Sequence, residues 1–259
     1  MAKVITVTNQ KGGVGKTTTS VNLAFYLAKA GKKTLVIDFD PQGNASAGLG
    51  VDHREVDKTM CDVMLGECDL KDIIISNKTK KLFIAPTIPE LANVEVQMAE
   101  MENKFLLLKH AINTVTEDYD YIIIDSPPSL SLLTVNGMIA SEYILIPVQT
   151  EFYAMQGVAQ LLESMNLVKK AMNPDLKLLG VLATMYDRRT ALSSQVLAEV
   201  KKYFKDKVFE TTIPRNVRLA EAPSHGVPIG QYDRFSKGAR AYKELAEEVM
   251  ERTKWALVD

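Results

Sequence analysis

The chain has 259 residues, 46% of them hydrophobic and 24% charged, the balance of an ordinary globular protein rather than a disordered or fibrous one. Its 31 basic and 32 acidic side chains leave a formal net charge of −1. No global positive field therefore exists to gather nucleic acid, and any such contact must come from a local patch. Two cysteines, Cys61 and Cys68, and three scattered histidines, His53, His110 and His225, argue against a disulfide framework and a metal cage built on those ligands. Both cysteines are expected as packing residues. No apolar run reaches the ~18 residues needed to cross a bilayer. The opening MAKVITVTNQKGG turns polar after one short apolar run, unlike a secretion signal. These features predict a cytoplasmic protein, and the length permits a single domain over residues 1–259.

The first predicted strand, Val4–Thr8, runs into Asn9-Gln10-Lys11-Gly12-Gly13-Val14-Gly15-Lys16-Thr17-Thr18, and a helix is predicted over Thr17–Ala30. Glycines let the backbone bend so that several N–H groups converge on one oxyanion, and the helix N-terminus adds its dipole. Lys16 then supplies charge for the β- and γ-phosphates of ATP, and the Thr17 hydroxyl a ligand for Mg²⁺. The ordinary GxxxxGK[ST] pattern would place glycine at position 10, where this chain has Gln10. It has a second lysine instead, Lys11, which can fold onto its own nucleotide or reach that of a second subunit.

The second strand, Thr34–Asp38, opens into Asp38-Phe39-Asp40-Pro41-Gln42-Gly43-Asn44. A strand at Leu82–Pro86 and helices at Glu90–Met101 and Lys104–Glu117 follow, and then Tyr121–Asp125 opens into Asp125-Ser126-Pro127-Pro128. An aspartate closing an apolar strand is often only a loop cap. Two of them, after strands flanking a phosphate loop, point to chemistry. Asp125 suits holding Mg²⁺ directly or through a water, and Asp40 suits orienting the attacking water or a Mg²⁺-bound water. Strands at Tyr143–Val148 and Leu178–Met185, helices at Met155–Met172 and Leu192–Phe204, an edge strand at Val208–Ile213 and a helix at Lys237–Lys254 complete the chain. Most strands are apolar throughout, as strands covered on both faces are. The alternation predicts an α/β fold, a doubly wound and mainly parallel sheet with helices on both faces and ligands at the carboxyl ends of its strands.

KGGVGKTT, DFDPQGN and IIIDSPPS together resemble the ParA/MinD family of deviant-Walker-A ATPases. PVQTEFYAMQG, TMYDRRT and TTIPRNVRLAEAPSHGVPI narrow the resemblance to ParA proteins of the short chromosomal type called Soj, across roughly residues 2–250. The resemblance implies a slow ATPase that binds ATP and Mg²⁺, forms a homodimer in the ATP state and then holds double-stranded DNA without sequence preference. A ParB-type centromere-binding partner would stimulate hydrolysis and release the dimer, and the protein would be nucleoid-associated. It further implies that the chain lacks the N-terminal DNA-reading extension of some plasmid relatives. Lys11 would be the signature lysine reaching the partner subunit's phosphates, Asp40 the hydrolytic switch residue and Asp125 the Walker-B residue. Gly12, Gly13, Val14, Gly15, Lys16, Thr17 and Thr18 would complete the phosphate cradle, with Thr17, Asp40 and Asp125 serving the metal. Met185, Pro214 and Asn216 would hold adenine, and Glu151 would contact nucleotide across the dimer. Arg189 and Arg218 match the family's DNA-binding arginines, and backbone contact by loop arginines suits binding without base readout.

Three rival readings are weaker. Membrane binding of the MinD kind needs a basic amphipathic C-terminal helix, whereas the polar face here is largely acidic and Trp255, Leu257 and Val258 read as packing the last helix down. An iron–sulfur relative needs thiolates near the switch loops, and Asp125–Leu133 has no cysteine. A small-molecule ligase needs a second substrate pocket, of which the sequence gives no sign. A binding module without turnover is the harder alternative, since family members hydrolyse ATP slowly.

Overall fold

A computed structural model describes residues 1–151 and 156–255. The strands are β1 (Lys3–Val7), β2 (Thr34–Asp38), β3 (Ile75–Ser76), β4 (Leu82–Ala85), β5 (Tyr121–Asp125), β6 (Tyr143–Gln149) and β7 (Lys177–Thr184). They form one seven-stranded sheet in the order β3-β4-β2-β5-β1-β6-β7. Every pairing is parallel except that of β3 with β4. The helices are α1 (Lys16–Lys29), α2 (Asn44–Gly48), α3 (Met60–Leu65), α4 (Leu91–Met98), α5 (Leu107–Asn113), α6 (Leu132–Ala140), α7 (Gln156–Ala171), α8 (Ala191–Phe204), α9 (Val217–Glu221), α10 (Ile229–Tyr232) and α11 (Lys237–Trp255).

Side chains alternate across a strand, so a strand apolar at every position must be covered on both faces. Along β5, Ile123 joins the core beneath α1 and α11, while Ile122 and Ile124 join the one beneath α3, α4 and α5. A third cluster packs Ile144, Ile146 and Val148 of β6 against α7 and α8. Cys61 is buried in the second cluster and Cys68 packs at its margin, both as free thiols.

The predicted strands and longer helices are all present except one. Val208–Ile213 lies along β7 but makes only one isolated bridge to it, Val181 with Val208, and a second bridge, Tyr186 with Pro214, lies just past both. The Phe209 and Ile213 amides do reach the Val181 and Ala183 carbonyls (3.0 and 2.9 Å), so the segment satisfies β7's edge without forming a ladder. β3, the antiparallel edge, was not predicted, because two residues carry no period. Helix α6 was missed because six of its residues are buried around its circumference, and a helix buried all round shows no amphipathic stripe. The predicted helices Glu90–Met101 and Lys104–Glu117 are shorter, as α4 and α5. Met155, expected to begin α7, lies outside the described residues.

Helix α11 lies along α1, where the Tyr242 and Thr19 hydroxyls meet at 3.2 Å, and its apolar face of Tyr242, Leu245, Ala246 and Val249 is buried. That face is committed to the core rather than free for a bilayer. The expected packing of Trp255, Leu257 and Val258 concerns side chains outside the described residues. Among the described residues, no helix is long and apolar enough to cross a membrane.

Candidate nucleotide site

Parallel register sets the site. Val7 of β1 pairs with Asp125 of β5, and Asp125 with Asp38 of β2. The start of the phosphate loop and two aspartates therefore end in one row, at the carboxyl edge of the three central strands. Such an edge is where doubly wound sheets take their ligands.

From that row the loop turns into α1. Gly13 and Gly15 adopt φ of 75° and 88°, a left-handed conformation that a Cβ would strain. Gly15 is the N-cap of α1, and no side chain caps the helix, which leaves the first amides of α1 for an anion. No atom lies within 4 Å of where a Cβ on Gly12 or Gly13 would stand, so this stretch is open. The base is braced. Asn9 donates to the Pro147 carbonyl (2.7 Å) and accepts from the Lys11 amide (3.0 Å). From β7, the Thr184 hydroxyl donates to the Val14 carbonyl (2.8 Å).

Lys16 is 7% exposed, and its ammonium donates to the Lys11 carbonyl (3.2 Å). Burial lowers its pKa, opposed by the charges of Asp125 and Asp40. A buried ammonium answered by one loop carbonyl fits a polyphosphate group well. The Lys11 side chain is half-buried at the loop's head, and among the described residues no carboxylate pairs with it.

The Thr17 and Ser20 hydroxyls donate to the two oxygens of Asp125 (2.7 and 2.8 Å). Asp125 is fully buried, and burial pushes its pKa up to about 6, the two hydrogen bonds working against the shift. Asp38 is also fully buried. Its carboxylate accepts from the Ser46 amide and hydroxyl (both 2.7 Å), tying β2 to α2. Burial first, then the charge of Asp125, raises its pKa to about 7. Asp40, 6% exposed, accepts from the Gln42 amide (3.0 Å). A hydroxyl and two carboxylates at one mouth are a hard-oxygen donor set suited to Mg²⁺, and the lysine beside them suits phosphate.

The Met185, Pro214 and Asn216 positions also converge. Tyr186 pairs with Pro214, the Tyr186 amide donates to the Ile213 carbonyl (2.9 Å), and the Arg215 amide returns to the Tyr186 carbonyl (3.2 Å). Met185 holds a left-handed φ of 52°, strain that a non-glycine residue keeps only where its surroundings impose it. Asn216 caps α9 by accepting from the Arg218 amide (2.9 Å). Thr184, next to Met185, joins this corner to the phosphate loop. Glu151 accepts from Gln149 (2.6 Å) and Arg215 (3.2 Å) at the same edge.

Arg189 and Arg218, the two arginines expected to contact DNA, stand apart. Arg189 makes a bidentate pair with Asp187 (2.9 and 2.8 Å). Arg218 pairs with Glu221 (2.8 Å) and approaches Asp233 (3.8 Å). Both pairs are solvent-exposed, and such pairs contribute little and exchange readily for another anion.

Sequence reasoning assigned no role to Asn9, Ser20, Asp38, Ser46 or Thr184. Ser20 was findable, three residues after Thr17 and so on the same face of α1. The contacts of Asn9 and Thr184 span 138 and 170 residues, and nothing local announces them.

The comparisons with known proteins identify the family. The family model described as an AAA domain matches residues 2–178. Over 249 residues the chain is 52% identical to the sporulation initiation inhibitor protein Soj of Bacillus subtilis (strain 168), spanning 96% of this chain and 98% of that one. It is 44% identical to the chromosome-partitioning ATPase Soj of Treponema pallidum (strain Nichols), over 97% and 98% of the two chains. Among solved structures, cobyrinic acid a,c-diamide synthase from Mycobacterium smegmatis with a bound ATP analog and magnesium gives a TM-score of 0.89 at 35% identity, covering 98% of this chain and 96% of that one.

Proposed function

This chain belongs to the Soj/ParA family of chromosome-partitioning ATPases, and we propose how its site makes ATP a switch for holding DNA. It is an ATPase that uses ATP and Mg²⁺. In this reading, Gly12 to Thr18 cradle the phosphates, Lys16 neutralises the β- and γ-oxygens, and Met185, Pro214 and Asn216 hold adenine. Thr17, Asp40 and Asp125 hold the metal, which when bound offsets the phosphate charge. Asp40 orients the attacking water. Lys11 reaches the nucleotide of a second copy, so that ATP drives a sandwich dimer in which Glu151 faces the nucleotide across the interface. The dimer holds double-stranded DNA without sequence preference through Arg189 and Arg218, and a ParB-type partner stimulates hydrolysis and release. The protein is nucleoid-associated, and residues 1–259 work as one ATPase domain.

The observation that carries this reading is the row Val7–Asp125–Asp38, with Asp125 bonded to Thr17 beside a loop that presents two lysines. Sedimentation of the Asp40→Ala variant with ADP or ATP, with and without a nonspecific duplex, tests it. With ATP the variant is expected to sediment as a dimer and to remain on DNA. Turnover at the wild-type rate, or a monomer with ATP, would refute the role given to Asp40.

The diamide synthase likeness supports a second reading, ATP-dependent ligation of a small molecule. DNA-stimulated ATP turnover without any added metabolite decides for partitioning. Turnover that waits on an amide donor and an acid acceptor decides for ligation.

A further inference from the structure

A second basic groove lies apart from the nucleotide edge. The later turns of α1, the turn preceding β4, α10 and the first turns of α11 enclose about 770 Å³. Lys29, Lys78, Lys80, Lys81, Arg234 and Lys243 line it, together with Arg240, and no acidic residue does. All are exposed. Among the described residues only Lys243 has an ion-pair partner, Glu247 at 3.7 Å. In a chain whose net charge is −1, seven cations with so little internal compensation repel one another, and an anion relieves that repulsion.

The groove is built rather than incidental. Gln231 donates to the Thr79 hydroxyl (2.6 Å), tying α10 to the turn. The Lys81 ammonium donates to the Gly31 carbonyl, and its backbone holds a left-handed φ of 69°. Arg240 is shared with a neighbouring hollow of about 600 Å³ beside the β7–α8 loop, which also exposes Arg188, Arg189, Arg215 and Lys237 against two acids, Asp187 and Glu244. The two hollows are thus neighbours that share Arg240 in their walls.

Their ends lie at opposite edges of the sheet, since Asp187 and Arg189 follow the carboxyl end of β7 and Lys78–Lys81 precede the amino end of β4. A strand of five residues is about 17 Å long. One DNA strand presents a phosphate about every 3.4 Å of helix axis and winds as it rises, so such a path meets the few phosphates on the side of the duplex turned towards it. A mononucleotide would fill only one end of it.

We propose that the duplex, once held at the Arg189 face, continues across Arg240 into this groove, whose lysines bind its phosphate backbone. The inference rests on the DNA-binding reading above and extends its contact surface down the flank of α1 and α11.

The test is fluorescence anisotropy of a labelled random-sequence duplex with the ATP- and Mg²⁺-bound protein across a series of KCl concentrations. Two variants are compared with wild type, the triple Lys29→Gln/Lys78→Gln/Lys80→Gln and the single Arg189→Ala. Lys81 is left in place because it holds Gly31. Each phosphate contact contributes about 0.9 to the slope of log K against log salt. The triple variant should therefore lose between about two and three units of slope, and Lys80→Gln alone about one. The ATP-induced rise in Tm, recorded on each sample, reports folding, and the single lysine variant serves if the triple one does not fold. An unchanged slope in the lysine variants, with weaker binding by Arg189→Ala, overturns this inference and leaves the DNA reading standing. Loss in the lysine variants alone supports the groove and removes Arg189 from the contact. A wild-type ATP state that holds no duplex overturns both.

Discussion

Replacing Asp38 by Asn should stabilise the ligand-free protein at neutral pH. Asp38 is fully buried beside Asp125, and burial followed by that neighbouring charge raises its pKa from 3.8 to about 7. The folded state therefore binds this proton more tightly than the unfolded state does. The stability so gained is complete below about pH 4 and is lost as pH rises through about 7. At about 1.4 kcal/mol per unit, raising pH from 5 to 7.5 costs the wild type about 3 kcal/mol through this one group. Asn carries no charge at any pH and keeps an oxygen to accept from the Ser46 amide and hydroxyl, both now at 2.7 Å. At about 2–4 °C per kcal/mol for a protein near this size, Tm of the variant should gain roughly 6–12 °C on the wild type across that range. Thermal unfolding followed by circular dichroism, without nucleotide or Mg²⁺, measures the difference at each pH. Parallel Tm curves for the two proteins would show that Asp38 ionises as freely in the fold as outside it, and would refute the argument.

Two further substitutions probe the frame around the site. Thr184→Val removes the buried hydrogen bond to the Val14 carbonyl (2.8 Å) at nearly constant shape. It should cost about 1–2 kcal/mol and weaken ATP binding, both read from Tm with and without ATP. A variant matching wild type in both would mean that Thr184 does not brace the loop. Gly180→Ala places a Cβ 2.7 Å from the Phe209 ring, 2.8 Å from the Lys207 carbonyl and 2.9 Å from the Arg252 guanidinium. A backbone carbonyl cannot retreat cheaply, so overpacking of about 1–3 kcal/mol is expected. Chemical denaturation checks it, and an unchanged midpoint would refute the crowding.

The parts of the fold legible in the sequence are those specified locally. β2 and β5 were assigned end to end because their residues are apolar and covered on both faces, and α1 because the phosphate loop leads straight into it. The same locality marked Lys16, Thr17, Asp40 and Asp125 as candidates. Each stands at a strand end or helix start where its chemistry has a use. Asp38 was visible as the last residue of β2 but silent as to its state, since its pKa depends first on burial and then on Asp125, which only parallel pairing brings alongside. The irregular course of Val208–Ile213 was hidden for a similar reason. Its backbone is fixed from outside, by Arg252 donating to the Leu179 and Val208 carbonyls (3.1 and 2.7 Å) while lying over the Phe209 ring. The ion pairs of Arg189 and Arg218 with nearby acids were present in the sequence as neighbours. Net charge alone gave no reason to weigh them.

The geometry also bears on why two lysines stand at one loop. Lys16 is buried and already turned inward, its ammonium on the Lys11 carbonyl, so it can meet a phosphate by exchanging one acceptor for another. The Lys11 backbone thus serves the loop, while the residue is half-buried at the loop's head and makes no ion pair among the described residues. Across the mouth, Asp125 uses both oxygens on Thr17 and Ser20. A threonine hydroxyl can donate its proton to a carboxylate and still offer lone pairs to a cation. Under the proposed assignment, Asp125 can therefore aim Thr17 at Mg²⁺ without giving up either hydrogen bond. Charge within one subunit's cradle is then met by Lys16 and the metal. On that proposal the Lys11 side chain is left for the second copy's phosphates, which would make dimerisation a consequence of nucleotide binding.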